Sequence, residues 1–389
     1  MTVLITVPDT SVGGITAAAV NLTRELVQRG HEVSFLDMSG ALLCKDRLPE
    51  EVKCLSLSGR STLWSITAAT VQRQKGARRV ALLLLGLIKK LTIRSGLWYK
   101  LIFGKDAVSR HFDVAIAFRQ CAPCYHFVQH CVTAKQKLAF VHGELAYMGD
   151  ISSWKHYLSA FDRVAYVSES VRREFVTVFP ELRENSATVY NMFDGEAIRE
   201  LANAPSTLPD SGDKRRIVTV ARIDCAFKRI DRIVEVCRIL KEKNSPPFHW
   251  YIVGAGPDLD ALQTLAKEKG VLDVLTFLGH RDNPFPVLRV ADFTVLSSKS
   301  EAYPMVVMES LILGVPVLTT RFGAAEEMIR ENEYGWIVEQ STEALADKVF
   351  SLLKNEDGAL DHAKGILQST VFDNKIPYEQ FLTAVGEIQ

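Results

Sequence analysis

Between Val52 and Lys105 the chain has no aspartate or glutamate. Over its whole length acids and bases balance, 46 of each, for a formal net charge of zero. That balance removes any global electrostatic case for a nucleic-acid partner. No apolar run is long enough to span a bilayer: the longest, Val80–Ile88, falls far short of the roughly 20 residues needed. The opening strand pattern Val3-Leu4-Ile5-Thr6-Val7 has no basic flank and no small-residue cleavage site, so we read no signal peptide. Cysteines are few and odd in number, seven scattered over 389 residues. They make no disulfide framework, and a reducing, cytoplasmic setting is expected.

What is present is an alternation of short apolar runs and amphipathic stretches. Apolar residues make up 47% of the chain and charged ones 24%, as in soluble globular proteins. The length suits two domains of roughly 150–200 residues. Val3–Val7, a Gly13-Gly14 turn, a helix over Thr16–Arg29, Gly30 at its C-cap and a strand at Glu32–Leu36 make a βαβ unit. Val114–Phe118, Leu138–Val141 and Val164–Val167 read as further strands buried on both faces. A Pro-, Ser- and Asp-rich stretch at Asn203–Arg215 reads as a linker. A second series follows: Arg216–Val220, Trp250–Val253, Leu275–Leu278, Phe293–Leu296, Val315–Thr319 and Trp336–Val338, with a last helix at Tyr378–Ile388. The expected division is residues 1–205, 206–370 and a C-terminal helix in 371–389.

The densest chemistry lies in Ser300-Glu301-Ala302-Tyr303-Pro304-Met305-Val306-Val307-Met308-Glu309. Pro304 suits the first position of a helix. Glu301 then precedes the helix, and Glu309 lies about one and a half turns inside it. The first amides, near Tyr303–Val306, have no intrahelical acceptor and can hold an anion such as a diphosphate. Taken alone, this spacing also fits a favourable charge at a helix start and a solvated glutamate. Arg222 follows the first strand of the second half, and Lys228 follows six residues later. Strand carboxyl ends face the ligand crevice of open α/β sheets, so both cations can meet the same phosphates.

These segments, taken in order, resemble glycosyltransferase family 4. In the second half they are Val218-Thr219-Val220-Ala221-Arg222 with Lys228-Arg229, Tyr251-Ile252-Val253-Gly254-Ala255-Gly256-Pro257, Phe277-Leu278-Gly279, Leu296-Ser297-Ser298, Glu301 with Glu309, and Gly314-Val315-Pro316-Val317. The first half adds Gly13-Gly14, Val141-His142-Gly143, Val167-Ser168-Glu169-Ser170 and Val189-Tyr190-Asn191. The resemblance covers nearly all of the chain outside roughly residues 40–110. It implies an α/β fold of the GT-B type, with two Rossmann-like domains facing a central cleft and a C-terminal helix that returns to the N-terminal domain. It implies a retaining hexosyltransferase that moves sugar from a nucleotide diphosphate, UDP in the first instance. The acceptor would be a glycan or lipid-linked glycan in surface polysaccharide biosynthesis.

The resemblance also implies the roles. Arg222 and Lys228 neutralise the leaving diphosphate, Glu301 holds the donor sugar's hydroxyls, and Glu309 holds the ribose. The Gly13-Gly14 loop and the segment Ala302, Tyr303, Pro304, Met305 and Val306 approach the phosphates. Gly254 is a loop glycine near the nucleotide, although with Gly256 it fails a dinucleotide fingerprint for want of a third glycine. Gly279 and His280 lie beside the base, and His142 near sugar and acceptor. No enzyme nucleophile, metal or cofactor is needed, since Arg222 and Lys228 supply the positive charge. Two other classes share this architecture: another GT-B enzyme, such as an epimerase or phosphorylase, and a non-catalytic sugar-nucleotide-binding subunit.

Two further features stand apart. Cys121-Ala122-Pro123-Cys124-Tyr125-His126 with His130-Cys131 has the residue types of a zinc or redox site. Its ligands would project in different directions from one helix, so packing cysteines are the reading. The acid-free stretch carries Lys53, Arg60, Arg73, Lys75, Arg78, Arg79, Lys89, Lys90, Arg94, Lys100 and Lys105 around two apolar runs that include Trp98 and Tyr99. That composition predicts contact with an anionic membrane surface through residues 52–105, on the inner face of the cell membrane. The alternative is a helix that packs its apolar face inward.

Overall fold

Short runs of Val, Ile, Leu, Phe and Ala, buried on both faces, form two all-parallel sheets in the computed structural model. The structure describes all residues except 12, 56, 58–74, 93–96, 99–109, 146–150, 207, 210–211 and 388–389. Two units emerge, Met1–Met192 with Asn374–Gln389, and Phe193–Asp373.

In the first unit the strands are β1 (Thr2–Val7), β2 (Glu32–Asp37), β3 (Lys53–Leu55), β4 (His111–Ala117), β5 (Thr133–Val141), β6 (Arg163–Tyr166) and β7 (Ser186–Thr188). They are ordered 3-2-1-4-5-6-7. Val3 of β1 stands opposite Val33 of β2 and Val114 of β4, so the strand order reverses at β1. The helices are α1 (Gly14–Gln28), α2 (Gly76–Thr92), α3 (Ala122–Cys131), α4 (Ile151–Leu158) and α5 (Glu169–Val178). Helix α5 starts where Ser168 Oγ accepts the amide of Val171.

The second unit holds β8 (Arg215–Val220), β9 (Phe248–Val253), β10 (Leu275–Gly279), β11 (Phe293–Leu296), β12 (Val317–Thr320) and β13 (Gly335–Val338), ordered 10-9-8-11-12-13. Counted from β8 this is 3-2-1-4-5-6, the dinucleotide-fold order, with its reversal between β8 and β11. Around the sheet run α6 (Gly195–Leu201), α7 (Ile230–Glu242), α8 (Leu259–Glu268), α9 (Phe285–Arg289), α10 (Met305–Ile312), α11 (Ala325–Met328), α12 (Thr342–Lys354) and α13 (Ala359–Ser369). Trp250, Trp336 and Phe293 sit at the centre of the core.

The units divide at Met192/Phe193, upstream of the expected 205/206. The cause is hydrophobic: Phe193 and Ile198 bury against Ile312 of α10, which ties α6 to the second unit. The chain returns to the first unit at Asn374 with α14 (Lys375–Ala384), slightly after the expected residue 371. There Gln380 Oε1 accepts the Tyr190 amide at 3.0 Å, Asn374 donates to Glu25 Oε2 at 2.6 Å, and Tyr378 stacks under Arg29.

Of the basic stretch, β3, α2 and a few flanking residues are described; Arg60, Arg73, Arg94, Tyr99, Lys100 and Lys105 lie outside the described residues. Helix α2 exposes Val80, Leu83, Leu84, Leu87, Ile88 and Leu91, with Leu84 at 59% and Leu91 at 74%. At 100° per residue these form one stripe, so the apolar face is turned outward. No helix among the described residues is long and apolar enough to cross a membrane.

Candidate active site

In the second unit the chemistry gathers where the strand order reverses. Beyond β8, the turn Ala221-Arg222-Ile223 packs directly on the turn beyond β9. A Cβ on Gly254 would lie 1.9 Å from Ala221 O, and one on Gly256 would lie 2.0 Å from Ile223 O. These glycines are therefore required for backbone packing, whatever they do for a nucleotide. Arg222 is left exposed, with no hydrogen bond or ion pair among the described residues.

The chain then folds back. Asp224 Oδ1 accepts the Ala226 amide at 3.0 Å, Lys228 N donates to Asp224 O, and Arg229 takes a left-handed conformation at the N-cap of α7. This turn delivers Lys228 to the segment beyond β11. Lys228 Nζ lies 2.5 Å from Glu301 Oε1, and Ser298 Oγ donates to the same oxygen at 2.7 Å. Ser297 Oγ reaches the carbonyls of Lys228 and Arg229, and the Lys299 amide donates to Phe227 O. The carboxyl ends of β8 and β11 are thus laced together around one lysine–carboxylate pair.

Four residues beyond Glu301, helix α10 begins. Pro304 is extended and is its N-cap, not its first helical residue. The Val307 amide bonds Pro304 O at 3.2 Å. Helix geometry gives the amides of Met305 and Val306 no intrahelical acceptor, so they open onto the loop that carries Glu301, Ala302 and Tyr303. Glu309 is half-buried on the second turn. Gly279, at φ +72, ends β10, and its carbonyl accepts the Gly254 amide. His280 beyond it is exposed, 3.2 Å from Asp282.

Two positions escaped sequence reasoning. Arg232 on α7 is 4% exposed, and burial holds its guanidinium below the ordinary range. It donates to Gln340 Oε1 at 3.1 Å and to Ser297 O at 3.3 Å. Gln340 Nε2 in turn reaches the carbonyls of Ser298, Lys299 and Arg321. These residues hold the loop that presents Glu301. The available signal was an arginine on the apolar face of α7, between Ile230 and Ile233. Asp258-Leu259-Asp260, an Asp-x-Asp spacing, also needs a place: Asp258 Oδ2 accepts the Cys225 amide at 2.7 Å, a structural role.

The first unit has its own reversal point. Gly13 caps α1 at φ 162, extended backbone open to any residue, and a Cβ there would meet nothing within 4 Å. With Gly14 it leaves the helix start uncovered by side chains. His142 ends β5. Burial, partly offset by donation to the Phe118 carbonyl, brings its pKa down to about 4, so the ring is neutral at pH 7. Its Nε2 is buried and has no partner among the described residues. Phe118 packs against the ring at 4.6 Å, and Gln120 Oε1 accepts the His142 amide. In the neighbouring Cys/His cluster Cys124 Sγ donates to Thr6 O at 3.3 Å and His126 stacks on His130.

Two parallel sheets of this kind in one chain are the architecture of the GT-B class of fold. The crystal structure of Anabaena Alr3699/HepE in complex with UDP superposes with a TM-score of 0.68 over 100% of both chains, at 15% identity. Residues 204–365 match the family described as "Glycosyl transferases group 1". The second unit is a group 1 glycosyltransferase domain. Among curated relatives, N-acetyl-alpha-D-glucosaminyl L-malate synthase of Bacillus anthracis is 27% identical over 44% of this chain and 45% of its own. Amylovoran biosynthesis glycosyltransferase AmsK of Erwinia amylovora is 28% identical over 42% and 43%. The chain thus spans under half the length of these curated relatives.

Proposed function

We propose that the chain is a retaining, metal-independent glycosyltransferase that moves a sugar from a UDP-linked donor to a glycan or lipid-linked glycan during polysaccharide biosynthesis. The observation that carries this reading is the Lys228–Glu301 pair, 2.5 Å apart, with α10 starting four residues after Glu301 and Arg222 exposed just beyond β8. A lysine and a helix end suit a pyrophosphate, and a fixed carboxylate beside them suits sugar hydroxyls. The similarity to a UDP complex and to a polysaccharide enzyme supports the donor and the pathway class.

The chemistry follows from charge. The bond between the sugar's anomeric carbon and phosphate oxygen breaks, leaving positive charge on the sugar and added negative charge on the diphosphate. Lys228, Arg222 and the amides of Met305 and Val306 stabilise that charge. The acceptor oxygen attacks from the face the phosphate is leaving, and its proton passes to the departing phosphate. Configuration is retained without an enzyme nucleophile. Glu301 orients the sugar, and Glu309 holds the ribose. Within the first unit, the amides of the Gly13-Gly14 turn suit a phosphate, and the neutral ring of His142 suits a sugar hydroxyl. Gly279 and His280 border the base. The exposed apolar stripe of α2, with Arg79 and Lys90 on its flank, suits an anionic bilayer carrying a lipid-linked acceptor.

The test is a panel of sugar nucleotides screened for protection against thermal unfolding, followed by NMR of the product's anomeric centre. A UDP-sugar should stabilise by about 2.7 kcal/mol at a hundred times its Kd. Inverted product would refute retention, and loss of turnover on chelation would refute metal independence.

A further inference from the structure

The carboxyl end of β4 bears two thiols that the transfer reaction does not use. Cys121 is the extended N-cap of α3, and Cys124 lies in the first turn. Helix geometry sets such a pair about 5 Å apart between Cα atoms. A disulfide spans roughly 4.4–6.8 Å. No other two of the seven cysteines stand this near in sequence. The pair is asymmetric: Cys121 is partly exposed, whereas Cys124 is fully buried with its thiol on Thr6 O. One sulfur therefore meets solvent and the other waits behind it, the arrangement of an attacking and a resolving thiol. The Cys124 thiol, its amide and Arg119 together hold the Cys121 thiol below its usual range, while burial pushes Cys124 far up.

We propose that Cys121 and Cys124 form a reversible redox site that exchanges with a low-molecular-weight disulfide and acts on His142. The Cys121 thiolate attacks one sulfur of the external disulfide and expels the other as a thiolate, giving a mixed disulfide. Cys124 attacks Cys121 Sγ and expels the second thiolate, which carries off the Cys124 proton as it leaves. The chain's two thiols lose two electrons and two protons, and the external disulfide is reduced to two thiols. Oxidation removes the Cys124 donation to Thr6 O, an oxygen that also accepts the Phe118 amide at 3.0 Å. Phe118 and Gln120 are the residues that hold the His142 ring and amide. The link thus alters the turn that positions His142. This last consequence rests on the proposed role of His142; the thiol chemistry does not.

The full chain is equilibrated in glutathione buffers of graded oxidised-to-reduced ratio, acid-quenched, alkylated and peptide-mapped. A Cys121–Cys124 link that rises and falls reversibly is expected. Cys121→Ser should give neither link nor adduct, and Cys124→Ala should trap glutathione on Cys121. No link, a persistent adduct on Cys121 in the native chain, or pairing of Cys124 with Cys131 would overturn the site. If Cys124→Ala does not fold, the native titration and Cys121→Ser still decide. Turnover measured on the same samples should fall several-fold with the link and recover on reduction. A link that forms at constant turnover overturns the coupling to His142. The mapping needs no sugar donor, so failure of the transferase reading is seen separately.

Discussion

Glu301 and Lys228 neutralise each other before any donor arrives. In the proposed reaction, with the pair 2.5 Å apart, a diphosphate would share Lys228 with the carboxylate. Glu301→Gln should therefore leave UDP binding, read by calorimetry, equal or tighter, while turnover falls by about 100-fold or more as the sugar loses its anchor. Weaker UDP binding would show that Glu301 only holds the lysine in place. His142 makes a second prediction at this scale. Its folded pKa is about 4 against an ordinary 6.5, so between those values the unfolded chain binds a proton that the folded chain does not. Stability is full above pH 6.5 and is lost as pH falls towards 4, by about 2 kcal/mol at pH 5 for this ring. His126, also brought to about 4 by burial, acts in the same direction. Urea midpoints at pH 7 and pH 5 check this; equal midpoints would contradict it.

Among elements, the turns beyond β8 and β9 fit so closely that no side chain can be added. Gly254→Ala would put a methyl 1.9 Å from Ala221 O on a residue at φ +152. We expect at least about 2 kcal/mol of lost stability by urea unfolding and weaker UDP binding, because the displaced turn carries Arg222. Helix α2 predicts the opposite pattern. Leu84→Asp with Leu87→Asp should abolish sedimentation with anionic vesicles at unchanged thermal stability, since both side chains are more than half exposed. A drop in stability would mean that the stripe packs on protein. The elements also explain what was legible beforehand. Strand segments buried on both faces, such as Leu138–Val141, announce themselves by unbroken apolar runs. β3 (Lys53–Leu55) and β7 (Ser186–Thr188) do not, because an edge strand of three partly exposed residues has no such run. β5 starts at Thr133, five residues before its apolar part, because its first half is only partly buried. The site residues near α10 were readable as a set of charges around a helix start. Arg232 and Gln340 were not, because their value lies in carbonyls that only the fold brings together.

At the scale of the whole molecule, the second unit is an insertion within the first. A chain stopped after Asp373 keeps β8–β13 intact, but leaves Glu25, His31 and Tyr190 without Asn374, Tyr378 and Gln380. Limited proteolysis of that chain should cut first within Met1–Met192, while Phe193–Asp373 persists. Cleavage that begins in the second unit would contradict the assignment of α14. The same connectivity fixes a sequence of events at the ribosome. Domains commonly fold in the order they are made, yet here the sheet that is made first waits longest for its last helix. Every residue of the group 1 domain is made before Lys375–Ala384, so the amino-terminal sheet, started first, is the last to receive all of its chain.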